Sequence, residues 1–247
     1  MTQNLTKNDL ETPRHAFELY DWVRRIHDEF GKTVEGTKAL RLYNKPNLKE
    51  FYEEIWPLAN YAKAFFGNRS DVSFKPVIGN QSHDAELIDD KSGSTLWYFE
   101  ITQALDDEAG YQQRLRMEHL DRYGLVRLTG PPLTRGQRCV VQQQAEAHEA
   151  RDWVAETICL IRKAIQKKAE KSYRDKTVLI VEYRDDLPLQ CQKGYKERLD
   201  AEAKSHLCCL ASAFSELALI ASSGEFALRY PNPGAPPNGI RIRPERQ

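Results

Sequence analysis

His83-Asp84-Ala85-Glu86-Leu87-Ile88-Asp89-Asp90-Lys91-Ser92-Gly93-Ser94-Thr95-Leu96-Trp97-Tyr98-Phe99-Glu100-Ile101-Thr102 is the stretch on which the fold turns. Two runs of strand-forming residues flank a Gly-bearing connection, which predicts a β-hairpin. A three-residue loop with Gly93 in the left-handed conformation pairs Asp90 with Ser94 and brings Asp84 opposite Glu100. That register collects Ala85, Leu87, Trp97, Phe99 and Ile101 on one face, all apolar. Asp84, Glu86, Ile88, Leu96, Tyr98, Glu100 and Thr102 take the other. A loop one residue shorter or longer would mix acids with apolar residues on both faces, which burial disfavours. The consequence is chemical, because neighbouring carboxylates on a sheet repel unless a proton or a cation lies between them.

Outward from the hairpin, helical and extended patterns alternate. Phe17, Tyr20, Val23 and His27 give a helix over residues 13–30. Asn47-Leu48-Lys49-Glu50 resembles a capping box opening a second helix, whose stripe is Phe51, Ile55, Leu58, Ala62 and Phe65. Glu54 stands at the edge of that stripe, Glu53 points away, and Pro57 predicts a kink or a restart. Residues 72–78 read as a strand that Pro76 places at an edge or a bulge. After the hairpin, Asp106-Asp107-Glu108 precedes a helix over 111–123 that Gly124 ends. A loop insertion over 124–142 carries Gly130-Pro131-Pro132 among Arg122, Arg127, Arg135 and Arg138. A long helix is expected over 143–173, with Val154, Ile158, Ile161, Ile165 and Ala169 as its stripe. Its residues Lys163, Lys167, Lys168, Lys171 and Arg174 read as a solvated basic face. Lys176-Thr177-Val178-Leu179-Ile180-Val181-Glu182-Tyr183 has the continuously apolar character of a buried central strand. A last helix is expected over 197–222 and a last strand over 225–230.

The fold class is therefore α/β, a mixed central sheet flanked by helices. Residues 1–46 form an N-terminal helical extension, 47–230 the core, and 231–247 a basic tail rich in Pro and Gly. In a chain of 247 residues, Lys plus Arg and Asp plus Glu balance at 36 each, so no global field draws polyanions. Any nucleic-acid role rests on local patches. No apolar run reaches membrane-spanning length, and Met1 to Lys7 lacks the apolar stretch of a signal peptide, so a cytoplasmic protein is expected. The cysteines Cys139, Cys159, Cys191, Cys208 and Cys209 are odd in number and lack C-x-x-C spacing, which suits reduced thiols. Gly31-Lys32-Thr33 is no P-loop, because Ile26 stands where the upstream Gly is required.

From Asn47 to Tyr230 the chain resembles the restriction-endonuclease-like PD-(D/E)XK superfamily. The resemblance rests on the element order, on Asp84 in the second strand, on Glu100-Ile101-Thr102-Gln103 in the third, and on the Lys-rich helix entering Leu179-Ile180-Val181-Glu182-Tyr183. It implies an αβββαβ core and a Mg²⁺- or Mn²⁺-dependent nuclease acting on DNA. Asp84, Glu100 and the Ile101 carbonyl then hold the metal, and Glu54 matches an acid that some members add. The family's Lys position is Thr102 here, followed by Gln103, and these two are the residues left to hold water. Candidates to supply the missing charge or contact nucleic acid are Lys75, Arg114, Arg116, Arg122, Arg127, Arg135 and Arg138. Gln112 and Gln113 can orient a water without charge. The alternative is a nuclease-like scaffold that no longer cuts and binds DNA or a protein partner, a second copy included. A third reading is an unrelated α/β protein in which the hairpin acids are incidental.

Overall fold

The structure, a computed structural model, describes residues 5–67, 69–79, 81–105, 111–112, 115–116, 152–185 and 187–232. Its centre is a mixed six-stranded sheet of β1 (Val72–Pro76), β2 (Ala85–Asp89), β3 (Thr95–Ala104), β4 (Thr177–Tyr183), β5 (Glu216–Ala221) and β6 (Ala227–Pro231), arranged in sequence order. The first three strands form an antiparallel meander. β4 and β5 continue parallel to β3, and β6 returns antiparallel. Helices cover both faces, as a sheet apolar on both sides requires.

The expected hairpin register holds from Ala85 to Leu87 and fails from Ile88 into the loop. Ala85 pairs with Phe99, Glu86 with Tyr98 and Leu87 with Trp97, as the pattern requires. The turn closes one residue wider, with the Asp89 N–H donating to the Ser94 carbonyl at 3.0 Å. The Asp89 carboxylate then accepts from the N–H groups of Lys91 and Ser92, both at 2.9 Å, and Gly93 takes φ +67°. Carried inward, that loop would mix acids with apolar residues on both faces. Instead Ile88 pairs with Thr95, and Leu96 bulges out as an extra residue that restores the register. Burial of the apolar face determines the outcome, and the bulge absorbs the mismatch.

On one face lie α1 (Lys7–Glu11), α2 (Ala16–Gly31), α3 (Val34–Leu42), and a continuous rod made of α4 (Leu48–Glu50), a π-helical turn (Phe51–Ile55) and α5 (Trp56–Phe66). The N-terminal helices are part of the core. Leu10, Leu19, Val23 and Ile26 bury in the same cluster as Phe51, Ile55, Phe99, Ile101 and Ile180. The extension also closes the sheet edge, since Arg14 and Phe74 exchange backbone hydrogen bonds of 3.0 and 2.8 Å. Pro76 sits at the end of that edge strand, where its missing N–H costs no ladder bond.

The opposite face carries α6 (Trp153–Ala169), α7 (Leu187–Gln190), α8 (Tyr195–Glu202), a second π-helical turn (Ala203–Leu207) and α9 (Cys208–Leu210). α6 begins at Asp152, whose carboxylate accepts from the Ala155 N–H at 3.0 Å. It buries Val154, Ile161 and Ile165 against Leu179, Val181 and Leu219.

One expected element is corrected. The last helix ends at Leu210, and residues 216–221 are the central strand β5, every residue buried. Leu207, Leu210, Phe214, Leu217 and Ala221 fit helical spacing, yet Leu217-Ala218-Leu219-Ile220-Ala221 is apolar without a break. Such a short run is the signature of a strand buried on both faces, and periodicity cannot separate it from helix. The Ser222-Ser223-Gly224 turn joins β5 to β6. There Gly224 has φ +74° and a Cβ would fall 2.6 Å from the Asn60 amide oxygen. At the start of β5, Glu216 accepts from the Tyr61 hydroxyl at 3.0 Å and pairs with Arg229 Nε at 2.6 Å.

The strand assignment makes Leu219, fully buried between the two helical layers, a sensitive position. Leu219→Ala should lower the unfolding free energy in urea by about 2–5 kcal/mol. A loss within about 0.5 kcal/mol, as at a surface position, would contradict burial on both faces.

Candidate acidic site at the end of the hairpin

Asp84 lies where β2 leaves the ladder, and its backbone N–H, its carbonyl and one carboxylate oxygen end it. Its N–H donates to the Phe99 carbonyl at 2.7 Å, and its carbonyl accepts from the Val77 N–H at 2.9 Å. Its carboxylate Oδ2 accepts from the Ile101 N–H at 2.7 Å, where the next strand residue would otherwise have bonded. In an extended strand a residue's N–H and C=O point to the same side, so the Ile101 carbonyl also faces the side β2 has vacated. Burial, and next the Glu100 carboxylate, push the Asp84 carboxyl up to about 6; the Ile101 N–H, Lys168 and Lys171 oppose this.

Glu100 is 6 % exposed, on the face of β3 that α6 covers. Its Oε1 accepts a short, charge-assisted hydrogen bond from Lys168 Nζ in the last turn of α6, and the Tyr173 hydroxyl lies 3.5 Å away. Burial and Glu100 together hold the Tyr173 hydroxyl well above the usual phenol range.

Glu54 enters from the other layer. It stands in the π-helical turn, where burial raises its carboxyl to about 8, and Asp84 is the largest of the charges that add to this. Lys168 counters it. Glu54, Asp84, Glu100 and Lys168 therefore share one electrostatic environment.

The remaining expected residues have different fates. Thr102 lies half-buried on the same face as Glu100, beside Val181 of β4. Gln103 is corrected: it faces the opposite side of the sheet, and its amide donates to the Tyr52 carbonyl at 3.3 Å and to Glu182 at 2.6 Å. It is not placed to hold a water between Asp84 and Glu100. Lys75 lies 4.0 Å from Glu86, which also meets the buried His83 at 3.2 Å. Arg116 and Gln112 are buried. Gln113, Arg114, Arg122, Arg127, Arg135 and Arg138 lie outside the described residues, as do the loop 124–142 and nearly all of the tail.

Lys168 is the residue the sequence reading misplaced. It belongs to the basic run taken as solvated, yet its side chain is only 17 % exposed. The signal was present: Lys168 follows Ile161 by seven residues and Ile165 by three, so it continues the buried stripe. A lysine at a buried position requires a partner, and Glu100 supplies it.

Another buried acid, Glu182 of β4, accepts from Gln103 through one oxygen, while Oε1 has no hydrogen-bond partner among the described residues. Burial pushes its carboxyl up to about 8, with Asp185 and Glu53 adding to this and Gln103 and Arg184 opposing it.

Among the described residues, no group of three or more His, Cys, Asp and Glu side chains is gathered closely enough to enclose a metal ion, and no helix is long and apolar enough to cross a membrane. No family model matches the chain, and no match was found among the curated proteins or the solved structures.

Glu182 gives a pH test with a defined sign. Its folded value, about 8, lies above the ordinary 4.5 of an unfolded Glu. Its stabilising contribution is therefore complete below the unfolded value and is lost as pH rises through the folded one. Glu182→Gln should flatten the alkaline side of the stability profile. Between about pH 5 and 9 the wild type should lose on the order of a few kcal/mol that the variant keeps, read from urea midpoints. Parallel profiles for the two proteins would show that Glu182 is ionised throughout.

Proposed function

We propose that this chain is a divergent metal-dependent nuclease of the PD-(D/E)XK type, hydrolysing phosphodiester bonds in DNA. The observation that carries this reading is the bond from Lys168 Nζ to Glu100. It brings a cation to the motif at the place where Thr102 fails to provide one. The order of rod, three-strand meander, helix and parallel strand supports the αβββαβ core.

The residues fit a hard divalent ion. Mg²⁺ takes oxygen ligands, retains several waters, and is commonly held by only one or two carboxylates. Asp84 and Glu100 provide these, the Ile101 carbonyl faces the same side, and Glu54 adjoins them. Burial first, and then the neighbouring acids, raise the carboxyls of Asp84 and Glu54, so a cation there would favour their ionised forms. When bound, the ion activates a water as nucleophile and offsets charge on the phosphoryl group. The protein's own part is orientation and charge. Asp84 is fixed by the Ile101 amide, Glu100 by Lys168, and Lys168 brings the ammonium to the reacting phosphate. Lys171 adds charge nearby, while Arg174 stacks over Tyr98 at 5.1 Å. Together they form a local basic patch for a phosphate backbone on a chain of zero net charge.

The scaffold that binds DNA or a protein without cutting is the second reading. It is favoured by the lack of a three-acid cluster among the described residues. Calorimetry with Mn²⁺ separates the two, since only the nuclease requires binding.

With Mg²⁺ or Mn²⁺, single- or double-stranded DNA should be cut. Asp84→Ala and Glu100→Ala should abolish both cleavage and Mn²⁺ binding. Lys168→Met should lower kcat by about 10²–10³-fold while metal affinity changes far less, as for loss of one group that stabilises transition-state charge. Cleavage that survives Asp84→Ala, or a wild type that cuts neither substrate, rejects the nuclease.

A further inference from the structure

The rod carrying Glu54 contains a conflict between two hydrogen-bond registers. Trp56 N–H donates to the Phe51 carbonyl, five residues back, which makes Phe51–Ile55 a π-helical turn. An α-helix would have sent the same N–H to the Tyr52 carbonyl. In the π register Tyr52 would instead be served by residue 57, but that is Pro57, which has no N–H. The Tyr52 carbonyl is thus left without a helical donor.

Gln103 fills the gap from β3. Its Nε2 gives one hydrogen to the Tyr52 carbonyl at 3.3 Å and the other to Glu182 Oε2 at 2.6 Å. Gln103 and Glu182 are direct partners across the parallel β3–β4 pair, so the sheet fixes both. An amide NH₂ has two hydrogens, and both are committed. Glu182 is faced by Gln103 from β3, by Glu53 from the rod, and by Arg184 and Asp185 from the end of its own strand.

We propose that Gln103 is a positioning residue: anchored by Glu182, its amide serves the Tyr52 carbonyl that the π register leaves without a helical donor, and by stabilising that register it sets Glu54 beside Asp84. Without that amide the π register leaves the carbonyl with no donor, and return of the Trp56 N–H supplies one. The turn then tightens, and a one-residue change of register rotates the preceding residues by about 100° around the rod. Glu54 would leave the site. The effect on metal binding rests on the nuclease reading, whereas the effect on the turn does not.

Two measurements on the full-length chain test this. Couplings across hydrogen bonds in NMR identify the acceptor of the Trp56 N–H, and calorimetry gives Mn²⁺ affinity. The wild type should show Phe51 as acceptor. Gln103→Leu should move the acceptor to Tyr52 and weaken Mn²⁺ binding about tenfold, as loss of an outer-shell partner typically does. Glu182→Gln, which keeps an oxygen for Gln103, should hold the acceptor at Phe51 and affinity within about twofold. Should Gln103→Leu fail to fold, Q103L/E182L removes both buried polar partners and should give the same switch. An acceptor that stays at Phe51 in the Leu variants overturns the inference. So does a switched acceptor with undiminished affinity in a protein that binds Mn²⁺. A switched acceptor in a protein whose wild type binds no Mn²⁺ upholds the turn and rejects the nuclease.

Discussion

The bond from the Ile101 amide to the Asp84 carboxylate is the constraint around which this structure is arranged. It ends the β2–β3 ladder with a side chain in place of a backbone carbonyl. In doing so it satisfies a buried strand amide that would otherwise cost about 1–3 kcal/mol. It also fixes a carboxylate next to Glu100, a placement that Coulomb repulsion alone would oppose. The Leu96 bulge is the upstream counterpart of this bond. Together they hold the hairpin register at both ends, one against an over-wide turn and the other against fraying.

Once the two acids are held together, the surroundings follow from charge compensation. Removing one partner of a buried ion pair is far more damaging than never having buried it, because the remaining charge is uncompensated. Lys168 and Glu100 are in that relation. Lys168 follows Ile161 and Ile165 at helical spacing and is itself largely buried, so an apolar helix face delivers an ammonium to a polar site. The helix layer on the other side delivers Glu54 into the same field. The acidic site is thus built at the meeting of both helical layers with a strand end, and neither layer alone would produce it.

The pattern of residues 83–102 determined the pairing of Ala85, Glu86 and Leu87 and the faces they share with Trp97, Tyr98 and Phe99, because a period of two leaves little freedom once one face is buried; it did not foresee the Leu96 bulge. β4 was readable as a central strand from its unbroken apolar run. β5 was not, since Leu217 and Ala221 are equally consistent with helical and extended spacing, and only the parallel pairing with β4 decides between them. Asp84, Glu100 and Glu54 were readable as candidates from the hairpin and the family resemblance. Lys168 and Glu182 were not, because each acquires its meaning from a partner distant in sequence, Glu100 in one case and Gln103 in the other. Gln103 was expected to hold water beside the acids, but the alternation that puts Glu100 toward α6 necessarily turns Gln103 toward the rod.

That alternation also explains why Thr102 need not be a defect. Residue 102 shares its face with Glu100, so a lysine there and a lysine on α6 approach the same carboxylate from two directions. A strand lysine is fixed by the backbone of the sheet. A helix lysine is fixed by the burial of its own stem, and its ammonium arrives from the layer that also carries Lys171. Supplying the charge from α6 leaves a short hydroxyl beside the carboxylates. It also makes the electrostatics of the acids depend on how α6 docks. In such an arrangement, loosening the contact of Ile161 and Ile165 with the sheet would unbalance the acids before it unfolded the protein, since the ammonium travels with the helix and the carboxylates do not.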